Sequence, residues 1–185
     1  MPLRRTDRID TPRLALVPVT GEHLADLLAM NSDDQVTAFV PYTTWTSLDD
    51  GVAWLARVSA HVESGTAEQL VLQRKADGKV VGTLLLFKHD EGSRRIELGY
   101  ALARPCWGQG YMREAVQAAC DHAFSALDLR RIEAEVNPAN TASCKLLANA
   151  GFQLEGRLRQ RWTAKGVTYD TNLYGLLRDD RERDA

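Results

Sequence analysis

Apolar positions recur along this chain with two periods, and the places where one gives way to the other mark its elements. Alternation about Leu14, Leu16 and Pro18 predicts a strand over residues 11–19, set at a sheet edge because it contains proline. Over 21–32 the spacing turns helical, with Leu24, Leu27, Leu28 and Met30 on one side. Residues 38–45, which include Pro41 and three aromatics, read as a loop. Ser47 is then a good N-cap for a helix carrying Val52, Trp54, Leu55 and Val58, with Asp49 and Asp50 at the positive end of its dipole. Strands at 69–75 and 79–89 are joined by the hairpin signal Asp77-Gly78, and a third strand follows over 95–103. The clearest helix is 110–127, where Met112, Ala115, Val116, Ala119, Ala123, Phe124 and Leu127 keep a helical period. Ile132, Ala134 and Val136 alternate over a strand at 131–136, and Asn140 caps a helix that ends at Ala150, with Gly151 as its left-handed stop. Strands 152–162 and 167–177 close the chain as a hairpin turning at Lys165-Gly166, and 179–185 reads as a solvated tail. The order βααβββαβαββ predicts one α/β (α+β) domain over residues 1–185: a mixed, mostly antiparallel twisted sheet of about seven strands flanked by four helices.

Composition narrows the partners. Forty-four per cent of the residues are hydrophobic and 26% charged, enough for a core and close to the average of soluble domains. Twenty-three basic residues against 25 acidic leave a net charge of −2, which argues against binding nucleic acid through bulk charge. Arginine outnumbers lysine 18 to 5, a surplus to which composition assigns no role. No apolar stretch follows the charged first residues as a secretory leader would, and the longest mostly apolar run, 80–87, is far short of the roughly 20 residues that span a bilayer. Cys106, Cys120 and Cys144 are scattered and odd in number, which suits a reducing compartment. Neither they nor His23, His61, His89 and His122 have metal-site spacing. The expectation is a cytoplasmic protein that uses no metal and no membrane.

The junction between strand 95–103 and the long helix carries the candidate chemistry. Trp107-Gly108-Gln109-Gly110-Tyr111-Met112 lets backbone approach a ligand closely. The helix start behind it offers free N–H groups and a positive dipole end, a ready phosphate site. Alone, a tight turn requiring glycine explains the same residues. The wider succession separates the two: Trp107 to Ala115, Ala123-Phe124, Leu127-Asp128-Leu129-Arg130-Arg131-Ile132, Asn137-Pro138-Ala139-Asn140-Thr141-Ala142-Ser143, Leu146-Leu147, Gly151-Phe152 and Glu155-Gly156. It resembles the GNAT superfamily of acetyl-CoA-dependent N-acetyltransferases, and within it the RimJ/RimL type that acetylates ribosomal-protein N-termini. The resemblance runs from Thr11-Pro12-Arg13-Leu14 to Asp170 and Tyr174 and is most specific between Trp107 and Gly156. One position departs. Pro105 stands where the family's phosphate loop often has Gln or Arg, which is tolerable because backbone N–H groups do most of the phosphate binding.

The resemblance implies a GNAT fold in which a splayed pair of strands holds acetyl-CoA. It places the pyrophosphate on Trp107, Gly108, Gln109, Gly110, Tyr111 and Met112, and pairs pantetheine like an added strand with Tyr100, Ala101 and Leu102. Strands 95–103 and 131–136, if splayed, leave backbone groups that a pantetheine amide chain can satisfy, and the Leu102 N–H is then an oxyanion donor. Glu97 sits mid-strand among small or charged odd positions and is the candidate base; the alternative is a carboxylate paired with Arg94, Arg95 or another surface arginine. Ser143, one turn after Asn140, is the candidate donor to the departing thiolate, against a role in local capping with Asn140. Asn140 is expected to cap its helix and to bind the cofactor, and Tyr111 and Tyr174 are other possible donors.

No cysteine has an adjacent His to activate it, so direct attack by a bound amine in a ternary complex is expected in place of a covalent enzyme intermediate. An α-amine titrates near ~8 and a Lys ammonium near ~10.4, so at neutral pH the former is easier to deprotonate by about 3 kcal/mol. The expected acceptor is therefore a protein or peptide N-terminus, that of a ribosomal protein included. A small amine (polyamine, amino acid or aminoglycoside) is the alternative, and an acyl-CoA-binding sensor without turnover is the reading from a different class. Tyr42 and Trp45 are expected to line the acceptor side with Glu97, their loop forming either a lid or a hydrophobic clasp between helices. Arg157, Arg159 and Arg161 fall on one face of the penultimate strand, toward an acidic substrate, ribosomal RNA or solvent. A homodimer is expected by resemblance alone.

Overall fold

The alternating segments become one sheet in the computed structural model, which describes residues 3 and 5–183. Its strands are β1 (Ile9–Asp10), β2 (Leu14–Pro18), β3 (Ala67–Arg74), β4 (Val80–Asp90), β5 (Arg95–Leu102), β6 (Arg131–Val136), β7 (Gln153–Ala164) and β8 (Val167–Leu177). They lie in the order β1-β2-β3-β4-β5-β6-β8-β7, every neighbouring pair antiparallel except β5 and β6. The helices are α1 (Leu24–Asn31), α2 (Asp34–Thr37), α3 (Leu48–Glu63), α4 (Tyr111–Ser125), α5 (Thr141–Asn149) and α6 (Arg178–Arg183).

Each face of the sheet has its own core. Ile96 and Leu98 of β5 and Ile132 and Ala134 of β6 pack with Ala115, Val116, Ala119 and Ala123 of α4 and Leu147 of α5. On the other face, Leu27 and Met30 of α1, Val36 of α2 and Trp54 of α3 close over Val71 and Val80. In β6 only Ile132, Ala134 and Val136 are buried, the period-2 pattern of a strand with one covered face. The caps lie where the residue types placed them. Ser47 and Asp50 form a capping box at α3, the Asn140 side chain accepts the Ser143 N–H at 3.2 Å, and Gly151 takes φ +91°.

The sheet has eight strands where about seven were expected, and six helices where four were expected. The two-residue β1 pairs Ile9 with Leu16 and Asp10 with Ala15, so β2 is not the sheet edge. Pro18 lies beyond the reach of β1, opposite Leu70 at the end of β2, where its missing N–H removes no ladder bond to β1. Helix α2 is a single turn capped by Asp33, too short to leave a period in the sequence. The described part of 179–185 is docked by α6: Arg178 donates to the carbonyls of Phe124 and Leu129, and Arg181 pairs with Asp121. Residues 184 and 185 of that stretch lie outside the described residues. Among the described residues no helix is long and apolar enough to cross a membrane.

One feature of this topology opens the sheet. Helix α4 is the crossover between the two parallel strands, and those strands pair only at Arg95↔Arg131, Ile96↔Ile132 and Glu97↔Glu133. Both run on, to Leu102 and Val136, with a gap between them.

A candidate active site at the splayed strands

Backbone polarity along the gap follows from the register of β4 and β5. Gly82 lies opposite Leu102 and Leu84 opposite Tyr100, and the Ala103 N–H continues the ladder to the Val81 carbonyl at 2.8 Å. Bonded and non-bonded pairs alternate in an antiparallel ladder, so Tyr100 and Leu102 turn their N–H and C=O groups away from β4, into the gap. The Trp107 indole N–H takes the Leu102 carbonyl at 2.8 Å. The Leu102 N–H and the Tyr100 backbone are left facing the opening. Gly82 permits the close approach of the two strands here, since a Cβ would stand 2.7 Å from the Ala101 carbonyl oxygen.

At the end of the gap a short 3₁₀ turn, Arg104–Cys106, with Pro105 in its first turn, leads into the glycine loop. Gly108 and Gly110 have φ of +72° and +79°, a region that disfavours other residues. A Cβ on Gly108 would meet nothing within 4 Å, so conformation calls for the glycine and its backbone borders open space. The Gln109 side chain donates back to the Pro105 carbonyl at 2.7 Å. Gly110 is the N-cap of α4 and brings no side chain, so the N–H groups of the first turn, at Tyr111, Met112 and Arg113, have no side-chain cap. Free N–H groups and a positive dipole end on a 15-residue helix suit a phosphate.

Glu97 faces the α1–α3 side of the sheet, as do Glu133 and Glu135, whose neighbours in β6 point the other way. It is 7% exposed and accepts a hydrogen bond from Lys88 Nζ at 2.7 Å. Lys88 sits at φ +52° in the bulge of β4, 3.6 Å from Glu135, with the rings of Phe87 and Trp162 beside it. Glu135 also accepts from the Trp162 indole at 2.7 Å and from Arg161 at 3.3 Å. Burial works upward on Glu135, but Trp162, Arg161 and Lys88 together hold it below the usual carboxylate range. Glu97 goes the other way: burial pushes it up, and Lys88 offsets this only in part. Of two carboxylates sharing one ammonium, Glu97 is the stronger base. The neighbouring arginines are engaged elsewhere, Arg94 with Asp128 and Arg95 with Glu133.

Ser143 approaches from the opposite face, on α5. Its N–H is capped by Asn140, while its buried hydroxyl lies 2.7 Å from the Tyr100 hydroxyl. Burial raises the Tyr100 phenol well above its ordinary value, with the Ser143 bond opposing, so both hydroxyls keep their protons at neutral pH. Glu97 and the Ser143–Tyr100 pair therefore flank the gap on opposite sides of the sheet. Tyr174 is buried on the α5 side, and Tyr111 lies under the Arg13 guanidinium, 4.4 Å from it.

Two expectations on the acceptor side change. Trp45 is 4% exposed, its ring 5.6 Å from that of Trp54 and tight against Gly51, so it is the clasp between helices and not a lid. Tyr42 is half-buried beside it, donates to the Asn31 side chain at 3.0 Å, and is pushed up to about 12 by burial. The arginine stripe is broken by a bulge of β7 between Leu158 and Trp162, where Gln160 takes φ +50° and gives its N–H to Asp170. Arg157 pairs with Asp170 and turns with Asn172 toward α5, whereas Arg161 reaches Glu135 on the Glu97 side. The far wall of the cleft is the β7–β8 hairpin, whose Lys165 Nζ reaches the Thr37 carbonyl at 2.5 Å. Lys88, Glu135, Trp162 and the Tyr100 hydroxyl were not picked out by the sequence. Only Lys88 left a signal, since a tight turn at Glu91-Gly92-Ser93 brings it next to Glu97. Among the described residues no three His, Cys, Asp or Glu side chains are disposed to hold a metal ion.

A mixed sheet whose one parallel pair splays beside a glycine loop defines an acyltransferase of the GNAT class. The Acetyltransferase (GNAT) domain family matches residues 13–153, and the chain belongs to it, an N-acetyltransferase with acetyl-CoA as cosubstrate. It is 36% identical over 168 residues to the uncharacterized N-acetyltransferase p20 of Bacillus licheniformis, covering 91% of this chain and 94% of that one. It is 28% identical over 105 residues to the ribosomal-protein-serine acetyltransferase of Escherichia coli (strain K12), covering 57% and 59% of the two chains. The structure of Mycobacterium smegmatis RimJ in complex with CoA-disulfide matches with a TM-score of 0.86 and 27% identity, covering 94% of this chain and 88% of that one.

Proposed function

We propose that this N-acetyltransferase acts on a protein or peptide N-terminal α-amine, that of a ribosomal protein included, by direct attack in a ternary complex. One observation carries the reading: the gap between β5 and β6 has a basic, buried carboxylate on one face and a hydroxyl pair on the other. In it, the loop from Trp107 to Met112 receives the pyrophosphate on backbone N–H groups, and Tyr100, Ala101 and Leu102 form the edge along which pantetheine lies. Asn140 orders the first turn of α5 at the same opening. The Leu102 N–H polarises the thioester carbonyl. Glu97 takes the proton of the attacking amine, directly or through water, and Lys88 fixes its orientation. Ser143, backed by Tyr100, donates a hydrogen bond to the departing sulfur.

An α-amine suits this site because it demands about 3 kcal/mol less for deprotonation than a lysine side chain. Glu133 and Glu135 do not make the cleft a sink for polycations, since Arg95 and Arg131 pair with the first and Arg161 and Lys88 with the second. Relatives named as ribosomal-protein acetyltransferases support the ribosomal-protein acceptor. A cytoplasmic homodimer belongs to the same reading by family resemblance alone. The test is CoA release with peptides, polyamines, amino acids and aminoglycosides as acceptors. Turnover confined to peptides with a free N-terminus is expected; faster turnover of any small amine would replace this reading.

A further inference from the structure

The turn between β1 and β2 grips the glycine loop through contacts that the reaction described above does not use. The Thr11 hydroxyl donates to one Glu114 oxygen at 2.6 Å, the Arg13 N–H to the same oxygen at 2.8 Å, and Arg13 Nε to the other at 2.6 Å. Lys75 Nζ holds the Thr11 carbonyl at 2.6 Å. Fixed at its neck, the Arg13 guanidinium sends Nη1 to the Gln109 carbonyl at 2.8 Å and lies 4.4 Å over the Tyr111 ring. It also borders Gly110, where a Cβ would be 3.4 Å from Nη2. One side chain thus touches three consecutive residues, 109 to 111. The loop's own composition gives it little stiffness, because glycine visits left-handed and right-handed regions about equally and loses most entropy on being fixed. Lysine has no planar fork with which to pair Glu114, reach Gln109 and stack on Tyr111 at once.

We propose that Arg13 is a positioning residue for acetyl-CoA: it holds residues 109–111 in the shape that receives the pyrophosphate, so cosubstrate affinity depends on it and the transfer step does not. This rests on the pyrophosphate placement proposed above. The experiment compares the full chain with Arg13→Ala and Arg13→Lys, using calorimetry with CoA and kinetics with acetyl-CoA and with S-acetylpantetheine, which has the thioester but no pyrophosphate. Arg13→Ala is expected to raise the CoA Kd and the acetyl-CoA KM by about tenfold or more, the scale of a lost charge-assisted hydrogen bond. Its kcat at saturating acetyl-CoA stays within about twofold, its kcat/KM for S-acetylpantetheine is unchanged, and Arg13→Lys recovers part of the affinity. Unchanged CoA affinity, or equal losses with both acyl donors, overturns the proposal. Gly110→Glu separates it from the reading beneath it. If that variant also binds CoA normally, the loop is not the pyrophosphate site; if it binds weakly while Arg13→Ala binds normally, Arg13 alone is rejected. Should Arg13→Ala fail to fold, Arg13→Lys decides, with a CoA Kd raised about threefold expected and an unchanged one refuting.

Discussion

Replacing Glu97 by glutamine separates catalysis from stability, because the same burial that makes the carboxylate basic makes it costly to the fold. The amide keeps the size of the side chain and an oxygen for Lys88, which otherwise turns to Glu135 at 3.6 Å. No neighbour can take over as base. Glu135 is held by Trp162 and Arg161, and Glu133 by Arg95 and Arg131. The full contribution of a general base should therefore be lost, about 10²–10³-fold in kcat near pH 7, or about 2.7–4 kcal/mol of barrier. By pH 9 an α-amine acceptor is already largely deprotonated, and the defect should shrink toward tenfold. Stability moves the opposite way. A carboxyl whose pKa rises on folding favours the fold when protonated, an advantage complete below its ordinary 4.5 and lost as pH climbs through the raised value. The amide does not titrate, so the variant's Tm relative to the parent should become more positive between pH 4 and pH 8. Calorimetric melts at both pH values, with CoA release against a peptide acceptor, read both effects. A parent-like kcat at pH 7 removes Glu97 from the mechanism. A variant that loses Tm with rising pH shows instead that Glu97 and Lys88 form a stabilising ion pair.

Ser143→Ala should lower kcat about tenfold and stability by about 1 kcal/mol, since the half-buried Tyr100 hydroxyl loses its partner; a normal kcat with lowered Tm assigns the pair to structure alone. Gly82→Ala should destabilise by about 1–3 kcal/mol and raise the acetyl-CoA KM by moving the Tyr100–Leu102 edge, whereas Gly92→Ala, whose Cβ meets nothing closer than 3.6 Å, should be silent in both assays. Trp45→Ala should cost about 3–5 kcal/mol in denaturant melts with CoA affinity intact. A raised acceptor KM at nearly constant Tm would return Trp45 to the acceptor pocket.

What the sequence made legible was local. Ser47, Asn140, Gly151 and Lys165-Gly166 mark ends and turns through their own backbone preferences, and the structure keeps each at its place. The splayed pair was expected from family resemblance, with the N–H orientation at Leu102 following from the observed β4–β5 register. Illegible were the features made by residues far apart in the chain. Trp162 and Arg161 of β7 reach Glu135 of β6 across the intervening β8, and the bulge at Gln160 is met by Asp170 across the hairpin. Lid and clasp are equally compatible with the sequence around Trp45, and its packing on Gly51 and Trp54, made by residues of a later helix, decides for the clasp. Short pieces such as β1 and α2 carry too few residues to show a period at all.

The arginine surplus, unexplained by composition, has a physical role inside the chain. Among the described residues eleven arginines form ion pairs with Asp or Glu, at positions 8, 13, 74, 94, 95, 104, 131, 157, 161, 178 and 181. Most are at least partly exposed and contribute little stability one by one, in the range of about 0–1 kcal/mol. Their effect is geometric. Arg104 ties the turn before the glycine loop to Asp33, which also caps α2; Arg131 joins Glu133 of β6 to Glu155 of β7; Arg161 joins β7 to Glu135 beside Lys88. A guanidinium can serve two partners in fixed directions, which a lysine ammonium does less well. Arg131 braces the end where β5 and β6 still pair, and Arg104 and Arg161 lie beside the part where no ladder holds the two strands. A splayed pair of strands is weak by construction, and the arginines brace the elements around it while the opening itself stays free for acetyl-CoA.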